Sequence, residues 1–541
     1  MKRIALKENI RKWINIGYLF PIVLLIIFYL IRSLSFPLHD FSNSYFAADL
    51  INNVTSPEKT LFDIYAFNSY AWDAGYPEVL IDFYLNSPFT LPAFLPLTFI
   101  ENAYLAKMLF NVFSSLLFIH SVFLLIKTKV STKNYRIFIL LIPLIFYVPI
   151  RNQILFGQSY FLIFSLLIYF IYYLERNKQV LSVAFLSFAA LLKVFPLFYG
   201  IILIINKQWK AILAGILITL LIVGISIPIT GWKLWEMYFL EVLPNAMANN
   251  STVNFQFNAQ SIDVFLKTIF VLDPYYNPNA LYDNKIAYIV IKWIVKSIII
   301  GFALSLSITN KEKVFKLLSI WVVTLFLLQS RTATYAQILW VIPAFYVFNS
   351  KMSSVYKVLF FSLLFLTCNI PISKLQHLPL FFRFSRLWLT LIISSIFYFD
   401  VKEKTSYSVN IRAILATIIV MAPLNIKTLL TDNNSMGEYV LTKNYFMIHD
   451  FKAIDGKLNY SALGKNGNEN IQTDIPISSF DNTACTIIEN QIFIHGKQLT
   501  DNSALKKNPV LVNNNEVYYL SDFNSRRGAF TLKKINIQTS N

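Results

Sequence analysis

The sequence predicts an all-α polytopic membrane protein with a small β-rich soluble domain at its C-terminal end. Of 541 residues, 56% are hydrophobic and only 14% charged, against about 45–50% and about 25% in soluble chains. Apolar runs long enough to cross a bilayer recur from residue 13 to residue 430; a spanning helix needs about 20 such residues. Beyond residue 430 the chain turns polar and Asn-rich, with short β-like runs. The net charge of +18 does not mark a nucleic-acid partner, because Lys and Arg sit in short stretches between apolar runs, where the positive-inside rule puts them. Cys368 and Cys485 are the two cysteines and provide no disulfide framework.

The first run, Trp13 to Phe36, follows Lys2, Arg3, Lys7, Arg11 and Lys12. Its length exceeds a signal-peptide core, so it reads as a retained anchor with the N-terminus in the cytoplasm. Further helices are expected near 103–126, 136–150, 158–174, 179–206, 210–230, 285–307, 314–329, 335–349, 355–372, 381–399 and 410–430. Basic connectors at 127–136, 176–178, 207–210, 311–316, 351–357 and 402–412 face the cytoplasm. The loop 37–102 carries eight acidic residues against Lys59, and faces outward with the loop 231–284. One crossing over 179–206 would put the Lys207 connector on the wrong side, so a hairpin is expected at Lys193 to Pro196, where proline interrupts the helical ladder. The expected total is about 13 spans, an odd number that leaves residues 431–541 outside. In that tail, strands are expected at Cys485–Ile494, Val510–Leu520 and Phe530–Ile537. The organisation is thus a transmembrane domain, 1–430, followed by an extracytoplasmic domain, 431–541.

Five histidines show no zinc-site spacing, and the chain has no Walker A loop, dinucleotide fingerprint or nucleophile elbow. No metal or cofactor is expected. Attention moves to charges at the outer membrane edge. Asp40 lies four residues past the first span, at headgroup depth, and opens a stretch that can form an interfacial amphipathic helix. It is either the N-cap of that helix or a functional carboxylate. Asp49, nine residues on, falls near the opposite helical face. Arg151, Lys193 and Arg331 fall at outer ends of spans, where they either snorkel or neutralise a phosphate. Glu236, Asp263 and Asp273 read as solvated loop charges.

The segments HDFSNSYFAADL, YLNSPFTLP, FGQSYFLIFSLL, ALLKVFPLFYG and FNAQSIDVFL, in that order, resemble bacterial polyprenol-phosphate-sugar-dependent glycosyltransferases of the GT-C superfamily. The branch they resemble is the α-mannosyltransferase-like glycosyltransferase family 87, over roughly residues 1 to 350. The resemblance implies a GT-C-like fold and transfer of a mannose-like hexose from a polyprenyl-phosphate donor to an extracytoplasmic glycan or glycolipid, in a bacterial inner membrane. It implies Asp40 as catalytic base and matches Gln158, Lys193 and Ser261 to the remaining motif positions; together with the charges at the span ends, this leads to the expectation of Gln158, Ser261 and Tyr84 on substrate and Lys193, Arg331 and Arg151 on the donor phosphate. The chain departs from the family pattern at Tyr160, where the family has Asn, and at SRTATYAQ, where Tyr335 stands near the position of a histidine.

A lipid-linked donor agrees with the chemistry, since nucleotide sugars are not available outside the cytoplasm. The alternative is a non-enzymatic transporter of solutes or lipid-linked glycans, which would favour charges at mid-span and two similar halves. A glycan polymerase would favour an arginine-rich outer loop, and the loop 37–102 contains no arginine.

Overall fold

A computed structural model describes residues 17–83, 86–129, 135–244, 259–273, 277–402, 407–430, 437–441, 445, 447–464, 467–502, 504–522 and 528–537. The N-terminal basic cluster and Tyr84 lie outside the described residues. The membrane part comprises α1 (Phe20–Ser33), α2 (Asp40–Asn53), α3 (Ile64–Asp73), α4 (Thr90–Thr98), α5 (Ala103–Lys129), α6 (Tyr135–Ile145), α7 (Tyr147–Phe156), α8 (Tyr160–Leu174), α9 (Gln179–Leu192) and α10 (Trp209–Thr230). It continues with α11 (Ile262–Phe270), α12 (Lys285–Thr309), α13 (Val314–Leu328), α14 (Val341–Asn349), α15 (Ser354–Asn369), α16 (Ser385–Val401) and α17 (Tyr407–Leu430). Short helical turns join several of these.

Helices form where apolar runs were expected, but many stop early. Among the described residues, three helices are individually long and apolar enough to cross a membrane: Ala103–Lys127, Trp209–Thr230 and Lys285–Thr309. The pair α6 and α7, bent by 60° at Phe146, is a fourth. The remaining apolar helices run 10–17 residues, and at 1.5 Å per residue a 14-residue helix rises only about 21 Å. Against the expected total of about 13 spans, the described residues thus hold three or four clear candidates with shorter apolar helices around them. The 179–206 segment shows why. Its helix ends at Leu192, Lys193 turns extended, and a 3-10 turn over Phe195–Gly200 follows with Pro196 in its first turn.

Burial sorts the bundle. Almost every side chain of α13 is buried, whereas α10 fully buries only Ala211, Ser226 and Thr230 and exposes Leu213, Leu217, Leu220, Leu221 and Ile225. A helix apolar all round and open to its surroundings suits contact with lipid. The described part of the loop 37–102 folds into its own helical cap. α2 was expected to lie along the interface, yet Phe41, Tyr45, Phe46, Ala47, Ala48 and Leu50 are all buried, sharing a core with Leu91 and Phe94 of α4 and Phe110 of α5. Apolar residues on both sides of α2 were satisfied by protein rather than lipid.

The tail is β-rich. A five-stranded antiparallel sheet has the order β1-β11-β10-β9-β5, beside three-stranded sheets β2-β3-β4 and β6-β7-β8, where β1 is Glu438–Tyr439, β2 Met447–Ile454, β3 Lys457–Gly464, β4 Gly467–Pro476, β5 Phe480–Asp481, β6 Cys485–Ile488, β7 Gln491–Ile494, β8 Lys497–Gln498, β9 Lys506–Val512, β10 Glu516–Ser521 and β11 Thr531–Asn536. Two expected strands are hairpins. Cys485–Ile494 turns at Glu489 and Asn490, and Val510–Leu520 turns at Asn513 and Asn514, all with positive φ, the backbone that tight hairpin turns demand.

The sheet domain rests on this cap. Ile64 of α3 enters the β-domain core with Leu458, Val512 and Phe530. Lys507 Nζ pairs with Asp63 at 2.7 Å, and the His449 ring stacks on Tyr65 with centroids 4.0 Å apart.

Candidate active site

Asp40 begins α2, and the residue in the cap position is His39, held at φ 52 with no side-chain cap bond. The capping role considered for Asp40 therefore does not describe its side chain. Instead the carboxylate accepts a hydrogen bond from Gln158 Nε2 at 2.5 Å and lies 3.2 Å from His39 Nδ1. His39 in turn stacks on Phe156, centroids 3.9 Å apart.

Gln158 reaches Asp40 because of the glycine before it. Gly157 ends α7 in the left-handed conformation, φ 64. A Cβ there would stand 2.5 Å from Phe41 Cβ, so only glycine allows the turn between α7 and α8 to press against α2.

Lys193 arrives from the other side. Its Nζ donates to Asn86 Oδ1 at 3.0 Å, and Ser87 Oγ bonds the Leu191 carbonyl, fastening the segment before α4 to the end of α9. Asp40, Asn43, Ser44, Asn86, Thr90, Gln158 and Lys193 line one cleft of about 30 Å³, roughly the space of one water. A larger cavity of about 1090 Å³ lies between α6 and α15, lined by Leu141, Leu144, Lys357 and Phe361, and does not include Asp40.

Burial pushes the Asp40 carboxyl pKa up, but His39, the Gln158 hydrogen bond and the charge of Lys193 outweigh it and hold the pKa below the ordinary carboxylate value. Asp40 is therefore a carboxylate at neutral pH, able to accept a proton. Asp49 is elsewhere: it accepts from Tyr70 Oη at 2.6 Å.

The other expected site residues disperse. Arg151 lies on α7 and bonds Asn152; it does not line the cleft. Ser261 is buried as the N-cap of α11, accepting from the Val264 amide and donating to the Ser330 carbonyl at 2.6 Å. Tyr335 feels the charges of both Asp40 and Arg331. Tyr335 also meets Tyr160, ring centroids 5.3 Å apart, and Phe156 at 6.2 Å. The two departures from the family pattern, Tyr160 and the Tyr335 segment, thus touch each other and form an aromatic wall leading from His39 toward Arg331.

Two residues of the site were missed. Asn86 sits in the segment YLNSPFTLP, where Tyr84 drew the attention. Lys107 is fully buried on α5, donates to the Pro37 carbonyl at 2.8 Å and feels the Asp40 charge; a lone lysine one turn into an apolar span was the available signal. Asp263 and Asp273, expected to be solvated, are only 2% and 3% exposed.

Residues 84–330 match glycosyltransferase family 87. The chain carries a family 87 glycosyltransferase region. The match includes Gln158, Lys193 and Ser261, begins after Asp40 and ends just before Arg331. Comparison with curated proteins finds no match. The enzyme class is therefore glycosyltransferase, and its apolar helices make it a membrane glycosyltransferase. Like other members of its class, the glycosyltransferase needs a sugar donor and an acceptor.

Proposed function

We propose that this glycosyltransferase moves a mannose-like hexose from a polyprenyl-phosphate donor to a glycan or glycolipid acceptor on the outer side of a bacterial plasma membrane. The observation that carries the reading is the ionised Asp40, hydrogen-bonded to Gln158 in a cleft shared with Lys193. Asp40 takes the proton from an acceptor hydroxyl as that oxygen bonds to the anomeric carbon. The bond from the anomeric carbon to the phosphate oxygen breaks, its electron pair leaves with polyprenyl phosphate, and the configuration inverts.

Lys193 is the cation nearest this chemistry, and Arg331, beyond the aromatic wall, is the second to meet the leaving phosphate. Arg151 is retained as a further donor contact, and Gln158, Ser261 and Tyr84 as contacts to substrate. The cleft in its present form is too small for a sugar, so binding includes opening between the cap and α9. In this reading the N-terminus is cytoplasmic, and the domain 431–541 lies outside with the cap on which it rests.

The test is consumption of a radiolabelled polyprenyl-phosphate hexose by membranes containing the protein. Label transferred to a glycan or lipid acceptor, with release of polyprenyl phosphate, is expected. Donor left intact by membranes holding folded enzyme, across the common hexoses, would overturn the reading.

A further inference from the structure

The cavity of about 1090 Å³ between α6 and α15 has no part in the transfer reaction, and its shape follows from where the two helices are tied. Asn369, the last residue of α15, donates from Nδ2 to the Ile145 carbonyl at 2.8 Å and accepts from the Val148 amide at 3.1 Å. These bonds fasten the bend between α6 and α7 to the end of α15. Phe348 of α14 forms the floor near the opposite end, its ring 5.4 Å from Phe138 of α6 and 6.2 Å from Phe361 of α15. The two helices therefore run in the same direction, closed together at their C-terminal ends and parted over a groove toward their N-terminal ends.

The lining changes character along that groove. Next to the Asn369 tie it is Leu144, Ile145, Phe365 and Leu366; at the far end it is Asn349, Ser350, Ser354 and Lys357. Ile137, Leu144, Val358 and Leu366 are exposed, so one flank is open, and in hydrocarbon an open apolar flank faces lipid. From Ser354 to Leu366, α15 rises about 18 Å, close to the roughly 15 Å of one hydrocarbon leaflet. One polar end and one leaflet's depth of apolar wall match the outline of a lipid.

Lys357 is fixed at the polar end. Its Nζ donates to the Phe348 carbonyl at 2.9 Å and the Ser350 carbonyl at 2.7 Å, serving the last turn of α14 and the residue after it. Carbonyls are neutral, so the ammonium keeps its charge and one of its three donors. Asp400 of α16 feels that charge, but the two form no ion pair among the described residues. A positive charge that belongs to the groove wall, with two serines and an asparagine around it, suits a phosphate.

We propose that this groove holds one anionic phospholipid, its phosphate at Lys357 and its acyl chains along α6 and α15. The basic connectors 127–136 and 351–357 begin the two helices, so the lipid belongs to the cytoplasmic leaflet. Filling the groove braces the bent pair of α6 and α7, the second of which leads into Gly157 and Gln158. The inference takes only its sidedness from the reading above and holds whether or not sugar is transferred.

The test is native mass spectrometry of the full-length protein, stripped of lipid in detergent and offered phosphatidylglycerol, with thermal unfolding measured alongside. Wild type should retain one phosphatidylglycerol and unfold at a higher temperature with it than without it. Ser362, exposed on α15 and part of the lining, gives the cleanest variant: Ser362→Trp fills the groove and leaves the Lys357 bonds in place. Without lipid it should unfold like wild type, and its binding should fall about tenfold or more. Lys357→Gln should weaken binding by a similar factor. Equal retention by wild type and Ser362→Trp overturns the site, and equal retention by Lys357→Gln overturns the placement of the phosphate. Displacement at equal concentration by inorganic phosphate, or by polyprenyl monophosphate, overturns the assignment to phospholipid, as does a dimer that Ser362→Trp dissociates, which would give the groove to a second copy.

Discussion

Gln158 Nε2 donates to the carboxylate of Asp40 across 118 positions of sequence, joining the turn after α7 to the first residue of α2. That bond stabilises the ionised form of Asp40 and points one of its oxygens, leaving the carboxylate 29% exposed toward the cleft. Asp40→Asn keeps the shape and removes the basicity. Turnover should fall on the order of 10²–10⁴-fold at normal expression. Asp49→Asn, bonded to Tyr70 away from the cleft, should keep most activity. The reverse pattern would transfer the base to Asp49, and two active mutants would remove it from this loop.

Lys193 is held by Asn86 and faces Asp40. Lys193→Gln should weaken donor use by about 1.5–3 kcal/mol, the worth of a hydrogen bond to a charged group, seen as a lower kcat/KM for the donor with unchanged membrane insertion. Equal donor use by the mutant and the wild type would leave Lys193 a structural residue.

Gly157→Ala tests the close approach that aligns Gln158. Its φ of 64 and the 2.5 Å contact of a new Cβ with Phe41 oppose any side chain. The left-handed backbone alone costs about 1–2 kcal/mol. A lower unfolding temperature together with lost turnover is expected; wild-type values for both would show that α2 and the α7 turn can separate without consequence.

Lys533, buried in the β-domain with its ammonium over the Tyr439 ring at 4.5 Å, gives a pH dependence. Burial lowers its pKa to about 8, partly offset by Asp273, below the ordinary value of 10.5. The unfolded chain therefore binds more protons between these values, and stability rises with pH across that window. Thermal unfolding of the full-length protein should shift upward from pH 8 to pH 10, and Lys533→Met should flatten that slope. An unchanged slope in the mutant would assign it to other groups.

The Lys507 to Asp63 bridge and the Tyr65 to His449 stack require the tail and the loop 37–102 to share one side of the membrane. A periplasmic reporter fused after residue 430 should be active in a bacterial host, as should one inserted in the loop 37–102. Opposite results for the two positions would refute the topology.

Composition by itself determined the membrane class, because hydrocarbon admits only long apolar helices and the chain spends its charge between them. It also determined the change to a β-rich tail, while the places of Asp40 and Lys193 at span ends drew attention to them and only the family resemblance pointed to Gln158. Helix ends were legible only in part: Pro196 announced the break after Leu192, whereas the apolar run through Phe146 looks continuous and only packing decided that it bends. The same limit hid the hairpins at Asn490 and Asn514, where a short apolar run reads alike as one strand or two. Tertiary structure alone brought Asn86 and Lys107 to Asp40, left Arg151 outside the cleft, and turned Asp263 from a solvated loop charge into a buried one. Pairing between residues far apart in sequence depends on how helices pack in three dimensions, and local pattern does not encode it.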